Sequence, residues 1–296
     1  MKLIKREKTD RFAKLVFRMT GFMVIAILAG IFLMLLWNTM AFFLKVQPWD
    51  FITGTQWSPS GNPATYGILP LLVSTSLVTL GAMTIAIPLG IGTASFLSDY
   101  AGKTLKSILK PAIEMLAAVP SVAIGFLGIV VLGPGIANIT GQANGLNALN
   151  GAILLSVMSL PTIITITQDA LQGVPNSYKE ASYSVGAGKW QTLIQVTIPA
   201  AAPGILAAVM LGVGRAIGET MTVLMATGNA SAFPKGFFYS VRTITATIAI
   251  EMGEVPYQTT HYYALFAIAT VLFLMTLLVN LVGEHFVNKF RKFQAV

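Results

Sequence analysis

The sequence contains no cysteine and only two histidines among 296 residues. Without cysteine the chain forms no disulfide and offers no thiolate for a metal site or for nucleophilic catalysis. The histidines, His261 and His285, lie far apart in the sequence and make a poor zinc cluster. We therefore expect no metal site and no cysteine nucleophile, and we assign no catalytic residue to this chain.

Charged residues are also scarce, at 10% of the chain, whereas hydrophobic residues make up 55%. Together with a positive mean hydropathy, this composition is too apolar for ordinary soluble domains, and a bilayer is the natural solvent. The net charge of +8 would suggest nucleic acid only if the basic residues were gathered on one folded face. They are spread along the chain, so nucleic acid is not an expected partner.

What the sequence does contain is a series of long apolar runs. A spanning helix needs about 20 mostly apolar residues. The pattern predicts six such helices and hence an all-α, polytopic membrane protein. The first run is longer than a signal-peptide core and has no obvious cleavage site, so it predicts a retained anchor helix. The predicted spans are 19–44, 67–97, 112–132, 149–171, 196–227 and 262–283.

Lysine and arginine are concentrated on alternate connections between these spans. Segment 1–18, the loops after spans two and four, and the tail 284–296 are basic. The opposite loops hold only Lys45, Lys235 and Arg242. Because basic loops tend to stay in the cytoplasm, both termini are predicted to be cytoplasmic, with the basic amino terminus near lipid headgroups. The predicted layout is then an external loop at 45–66, a core at 67–283 with a second external loop at 228–261, and a cytoplasmic tail.

Two short segments, one in a loop and one within a span, carry further local predictions. In the second external loop, Ile244, Ile248 and Met252 recur at helical spacing, which predicts a short amphipathic helix rather than a seventh span. Pro120 and Ser121 in span three predict a kink and free backbone carbonyls rather than direct ligands.

The loop 172–197 is expected to form two small helices at the cytoplasmic surface. Gly173-Val174-Pro175 breaks the preceding span, and a short amphipathic helix follows until Gly186 and Gly188 end it. A second helix from Trp190 to Val196 is closed by Ile198-Pro199. Such a pair is either an ordinary interfacial element or a surface that a cytoplasmic partner grips.

The residues of this loop resemble the EAA loop of ABC importer permeases, E-A-A-x3-G-x9-I-x-L-P. Glu180-Ala181-Ser182, Gly186, Val196 and Ile198-Pro199 have the same spacing, with serine in place of the second alanine. The resemblance implies that the loop forms coupling helices seated in a cytoplasmic ATPase. Glu180, Ala181, Ser182 and Gly186 would lie at that joint, with Gly186 permitting a turn that other residues disfavour.

The chain itself has no nucleotide-binding motif. A phosphate-cradling loop requires G-x-x-x-x-G-K-[ST]. Gly102-Lys103-Thr104 supplies only the end of that pattern, and Gly188-Lys189 is followed by Trp190. We expect this chain to bind no cofactor, so that ATP and magnesium belong to a partner ATPase.

Arg215 and Glu219 interrupt the apolar sequence of the fifth predicted span. A charged residue at mid-bilayer costs about 2.5–3.5 kcal/mol on insertion scales, so such residues usually face a protein interior or an aqueous path. Their spacing of four places both on one face of a helix. One interpretation is a structural ion pair, with Gly212, Gly214 and Gly218 letting a neighbouring helix approach.

The other interpretation is a site for an oxyanion. Guanidinium offers a planar fork of donors and stays charged in a low-dielectric site. Glu219 would hold Arg215 while the path is empty, repel a fully ionised anion, or accept a hydrogen bond from a protonated phosphate. Glu114 and Asp169 have simpler interpretations, as a carboxylate at the cytoplasmic interface and as a solvated residue at the end of span four.

A narrower resemblance concerns this charged segment. Residues 212–221 resemble the G-x-G-R-A-[IL]-G-E-T stretch of phosphate-specific permeases, residues 116–121 resemble their L-A-A-[IV]-P-S signature, and residues 221–229 are similar to the C-type subunit. The resemblance implies a type I ABC importer permease-like core that imports phosphate by alternating access, with Arg215 and Glu219 in the pathway. It also implies an A-type permease partner, two copies of an ATPase subunit, an external phosphate-binding protein, and the plasma (inner) membrane of a prokaryote.

Three other functions are weighed against this one. A permease for phosphite, molybdate or tungstate is an alternative, because a single arginine does not distinguish these anions from phosphate. An ATP-independent secondary transporter or channel is disfavoured by the loop at 180–199. A membrane enzyme is disfavoured because no nucleophile–base pair or pair of carboxylates stands out among the spans.

Overall fold

The structure, a computed structural model, describes the backbone of residues 2–294 and the side chains of residues 13–290. The basic residues at positions 2–11, and Arg291 and Lys292, therefore lie outside the described side chains. The helices are α1 (Lys2–Phe43), α2 (Pro48–Thr53), α3 (Leu69–Ser95), α4 (Lys103–Ala117), α5 (Ser121–Leu127), α6 (Gly133–Thr140), α7 (Ala148–Gln172), α8 (Asn176–Ser184), α9 (Lys189–Thr192), α10 (Ile198–Gly218), α11 (Met221–Ala226), α12 (Ile244–Glu251) and α13 (Thr260–Gln294).

Single π-helical turns extend or join several of these helices. They occupy Phe96–Tyr100 after α3, Gly128–Leu132 between α5 and α6, and Leu193–Thr197 between α9 and α10. A small antiparallel hairpin pairs β1 (Trp57–Ser58) with β2 (Thr65–Tyr66), with Trp57 opposite Tyr66. The chain is otherwise helical or irregular within the described range, as the all-α prediction requires.

Six helical stretches within the described residues are long and apolar enough to cross a membrane, as predicted. They are Ala13–Phe43, Leu69–Tyr100, Ser121–Thr140, Ala148–Gln172, Lys189–Gly218 and Thr260–Phe290. The predicted bounds of the third span, 112–132, are wrong. The apolar stretch begins only at Ser121, and a separate helix precedes it.

That separate helix, α4, explains the error. It is amphipathic and buries none of its residues, so its apolar positions resemble a span in sequence without being part of one. The backbone is extended at Pro120 (φ −59°, ψ 136°), which separates α4 from α5 and gives the predicted kink at the start of the span. Glu114 is exposed on α4, outside the third span.

The centre of the bundle is packed through small residues. Helix α7 lies against α3 and α10, and its Ile163 is fully buried between them. A Cβ built on Gly90 of α3 would lie 2.6 Å from Ile163 Cγ2, and one on Gly212 of α10 would lie 2.8 Å from Ile163 Cγ1. The absence of side chains at these two glycines therefore allows the three helices to approach closely.

A second core forms on the side predicted to be external. Phe42, Phe51, Trp57, Ile244 and Leu265 are buried together there, drawn from α1, α2, the hairpin, α12 and α13. The short helix predicted in the loop 228–261 is present as α12, but it is not amphipathic, because four successive residues at its start, 244–247, are all buried. Burial also raises the pKa of the Tyr66 phenol above its ordinary value of 10.0.

We call this second core and the segments that form it the cap. Polar contacts around Glu251, at the end of α12, hold the cap together. Its carboxylate accepts hydrogen bonds from Arg242 Nη1 at 2.9 Å and from Trp57 Nε1 at 3.2 Å, and it contacts His261 Nε2 at 2.8 Å. These partners lie in the loop between α11 and α12, in the hairpin and at the start of α13. The carboxylate therefore joins three separate parts of the chain.

Span one packs against span six. Phe32 and Phe273 stack with ring centroids 5.1 Å apart, and the hydroxyls of Thr39 and Thr270 are 2.8 Å apart. Most other described side chains of α1 are exposed and apolar, as expected of a helix that faces lipid. Helix α1 begins at Lys2 and α13 continues to Gln294, so both basic end segments are helical over their described residues.

Candidate substrate pathway and coupling loop

The sequence predicts a fifth span that continues to Thr227, but the structure ends it earlier. Helix α10 ends at Gly218, Glu219 is extended (φ −68°, ψ 133°), and α11 starts at Met221. The Thr245 hydroxyl donates to the Glu219 carbonyl oxygen at 2.8 Å, so the interrupted backbone receives a side-chain partner. Spanning helices tolerate such breaks where neighbouring groups satisfy the backbone or where the break lines a cavity.

The Glu219 carboxylate is half-buried at the start of α11. Glu219 Oε1 accepts from the backbone N–H of Thr222 at 3.3 Å and lies 3.3 Å from the Thr222 hydroxyl. A negative charge is favourable at the amino-terminal end of a helix. The Thr222 hydroxyl also donates to the carbonyl oxygen of Ser121 at 3.1 Å, and the Pro120 carbonyl oxygen accepts from the backbone N–H groups of Ala123 and Ile124. The predicted free carbonyls at Pro120-Ser121 therefore both have partners.

Arg215 is exposed in the last turn of α10, where its Nη1 donates to Thr162 Oγ1 of α7 over 3.4 Å. Of the described side chains, three ion pairs form, namely Lys179–Asp99, Arg242–Glu251 and His261–Glu251. The predicted pairing of Arg215 with Glu219, on one face of a continuous helix, is therefore wrong. The break after Gly218 ends the helical geometry that would place residues four apart side by side.

The glycines of this segment also behave differently from the prediction. Gly212 packs against Ile163 as expected, but a Cβ at Gly218 would meet nothing within 4 Å. At Gly214 the nearest atom would be Asn280 Oδ1, at 3.9 Å. The Gly214–Gly218 spacing therefore mediates no close helix packing within this chain.

Three hydroxyl residues of the site were missed by sequence reasoning. Thr162, Thr222 and Thr245 come from α7, α11 and α12, and each contacts Arg215 or Glu219. The only available signal was that they are polar residues in apolar stretches. Which of the many threonines meet at the break is decided by packing.

The loop 172–197 forms the two predicted helices, α8 and α9. Gly186 between them has a φ of +87°, which confirms the predicted turn that favours glycine. Glu180 and Ala181 are exposed on α8, while the Ser182 hydroxyl is 2.9 Å from the Thr192 hydroxyl of α9. The predicted break at Ile198-Pro199 is wrong, because α9 continues through a π turn into α10, where Pro199 occupies the first turn.

A family model described as "Binding-protein-dependent transport system inner membrane component" matches residues 86–292. That stretch is more than half of the chain and includes both the coupling loop and the broken helix. The chain belongs to this family. It is thus a multi-pass inner membrane component of a binding-protein-dependent transport system.

Individual relatives extend the match over most of the chain. "Probable ABC transporter permease protein YqgH" of Bacillus subtilis (strain 168) is 40% identical over 233 residues, 79% of this chain and 75% of that protein. "Phosphate transport system permease protein PstC" of Mesorhizobium japonicum is 31% identical over 299 residues, 94% of this chain and 89% of that protein. Both of these relatives are named as permease proteins.

Solved structures establish the fold of the family in this chain. A bacterial ABC transporter involved in the import of the acidic polysaccharide alginate matches with a TM-score of 0.64 at 16% identity, over 98% of this chain and 99% of that one. The MetNI methionine ABC transporter, in inward facing conformations, matches with a TM-score of 0.57 at 19% identity, over 76% of this chain and 94% of that one. The chain therefore has the type I ABC importer permease fold.

Proposed function

We propose that this chain is the C-type permease subunit of an ATP-driven importer that moves inorganic phosphate into the cytoplasm by alternating access. The proposal is supported by family membership and by a phosphate permease relative aligned over 94% of the chain. An A-type permease, two copies of an ATPase subunit and an external phosphate-binding protein complete the importer. Both termini are cytoplasmic in this arrangement.

The observation that carries the proposal is the exposed guanidinium of Arg215 beside an unwound stretch of a spanning helix. An exposed charge within a spanning helix is too costly to face lipid, so it faces water or protein. Arginine binds oxyanions through paired donors, and broken helices mark substrate sites in many transporters. In this proposal the second permease closes the open side of the path around Arg215.

Glu219 does not neutralise Arg215 in this arrangement. Its Oε1 is taken by Thr222, while the described contact of Arg215 is a long one to Thr162. The guanidinium therefore keeps most of its donors for an anion. We assign Glu219 to the wall of the path, where it accepts a hydrogen bond from a protonated phosphate or limits entry of a fully ionised one.

Energy for transport comes from the partner ATPase, which holds ATP and magnesium, and this chain binds no cofactor. The exposed residues Glu180 and Ala181 on α8, with Ser182 and Gly186, form the contact with that ATPase. The two-helix geometry of the loop supports this role, because it presents a compact surface outside the bundle.

The test is uptake of labelled phosphate in cells that carry Arg215→Gln as their only copy of this chain. We expect uptake to fall about tenfold or more, because hydrogen bonds to charged groups contribute about 1.5–3 kcal/mol. Arg18→Gln, an exposed arginine at the end of the basic segment 1–18, is the matched control and keeps normal uptake. Normal uptake by Arg215→Gln at normal expression would contradict the pathway assignment.

Competition measurements separate phosphate from similar anions. With labelled phosphate at a fixed concentration, unlabelled phosphate should compete most strongly, ahead of phosphite, molybdate and tungstate. Stronger competition by one of these three would identify that anion as the substrate and keep the role of Arg215.

A further inference from the structure

An ion pair joins the coupling loop to the inner end of span two. Lys179 Nζ lies 2.5 Å from Asp99 Oδ1, and the two side chains are 18% and 20% exposed. Lys179 precedes Glu180 on α8, while Asp99 lies in the π turn that ends span two. The two residues are 80 positions apart, so the contact belongs to tertiary structure.

Helix α8 has few other attachments to the bundle. It buries none of its own residues. Its other described side-chain hydrogen bond to another helix joins Ser182 to Thr192 of α9, which leads into span five, and Tyr178 lines a cavity beside Pro199 on the same side. Lys179 supplies the connection to span two, so the two contacts tie α8 to two different spans.

Asp99 depends on this lysine. Its second oxygen, Oδ2, is buried and has no hydrogen-bond partner among the described residues. Removing the charge of Lys179 would leave a largely buried carboxylate without compensation, which is far more costly than loss of a surface pair. The pair is therefore expected to persist while α8 moves.

Span two connects Asp99, through its packing in the bundle, to the region of Arg215. Helix α3 packs against α7, where Gly90 receives the side chain of Ile163. The adjacent residue, Thr162, accepts the hydrogen bond from Arg215. A movement of Asp99 thus has a continuous route of packed atoms to the arginine, and packed side chains of this kind can carry energetic coupling between distant sites.

We propose that Lys179 and Asp99 form a positioning pair that transmits movement of the coupling helix to span two and, through α7, to the Arg215 site. This inference rests on the proposed function. The Ser182–Thr192 contact drives span five in parallel. Loss of the ion pair uncouples only the branch through span two, so ATP hydrolysis continues with less transport per ATP.

The test uses the complete importer, with its partner permease, ATPase and external binding protein, reconstituted in vesicles. Phosphate uptake and ATP hydrolysis are measured in the same preparation. Lys179→Met should lower uptake per ATP about fivefold or more, the range typical of coupling free energies between sites. Lys179→Arg keeps the charge and should keep the ratio, and Lys103→Met, an exposed lysine on α4, should leave it unchanged.

Charge reversal shows whether the pair itself matters. Lys179→Asp and Asp99→Lys should each lower the ratio, and the double variant should restore most of it. An unchanged ratio in Lys179→Met, or a double variant no better than the single ones, would overturn the proposal. If the neutral variant fails to assemble, the comparison of the double variant with the two single reversals decides the question.

A different result would count against phosphate as substrate. A wild-type importer that hydrolyses ATP without moving phosphate contradicts the proposed function, and the pair is then judged by amide hydrogen exchange. ATP should alter exchange at residues 84–100 in the wild type and not in Lys179→Met. Equal changes in both would reject the pair independently of the substrate.

Discussion

At Gly186 the backbone conformation alone sets the requirement for glycine. Its φ of +87° lies in the left-handed region, and a Cβ there would meet no other atom within 4 Å. Steric crowding by neighbours is therefore not the reason for glycine at this position. The reason is the conformation itself, which costs other residues about 1–2 kcal/mol.

Gly186→Ala should disturb the turn between α8 and α9 and weaken the contact with the ATPase. Gly188→Ala is the matched control, because Gly188 lies two residues away with an ordinary φ of −75°. We expect the ATPase to co-purify less with the first variant and normally with the second. Equal recovery of the ATPase with both variants would argue against a coupling role for the turn.

Arg215 and Glu219 show a different property of single residues. The sequence marks both as unusual in a span, yet their partners are Thr162 and Thr222, which the sequence does not single out. Their charges alone therefore identified a candidate site without its geometry.

Among the elements, helices α3, α7 and α10 pack closely at Ile163 of α7, which contacts Gly90 of α3 and Gly212 of α10. This close approach places Thr162 beside Arg215. A small change in the spacing of these helices would therefore affect both stability and the site.

Gly90→Ala should lower the apparent unfolding temperature of the purified importer in detergent, because the new methyl group would meet Ile163 at 2.6 Å. Overpacking of this kind typically costs about 1–3 kcal/mol. Gly92→Ala, on the same helix with nothing within 4 Å, should be neutral or stabilising, since alanine favours helix. A decrease of equal size in both variants would show that Ile163 can move aside.

For the whole molecule, the distribution of basic residues predicts the orientation in the membrane. Lysines 103, 106, 110, 179 and 189 fall on one predicted side together with the loop 172–197. The cap around Glu251 falls on the other side. The absence of cysteine makes this arrangement simple to test.

Single cysteines at two open glycines should report the two sides of the membrane. Gly253 follows α12 in the external cap and Gly102 precedes α4, and a Cβ at either meets nothing within 4 Å. Gly253→Cys should react with an impermeant maleimide in intact cells, and Gly102→Cys only after the membrane is permeabilised. The reverse pattern would place the termini outside and remove the basis for the coupling assignment.

The sequence by itself determined the membrane class, the six spans, the helical coupling loop and the glycine at its turn. These features depend on local hydrophobicity, spacing and backbone preference, which a linear chain carries directly. Sequence-based prediction failed at α4, where an amphipathic helix resembled a span, and at Gly218, where α10 ends inside the predicted fifth span.

Only the tertiary structure decided which groups meet. The break at Glu219 is supported by Thr245 from another segment, and Asp99 finds Lys179 across 80 positions. Such contacts depend on how helices pack, and packing is set by shape over the whole bundle rather than by neighbours in sequence. The charged residues were therefore visible in the sequence, whereas their partners were not.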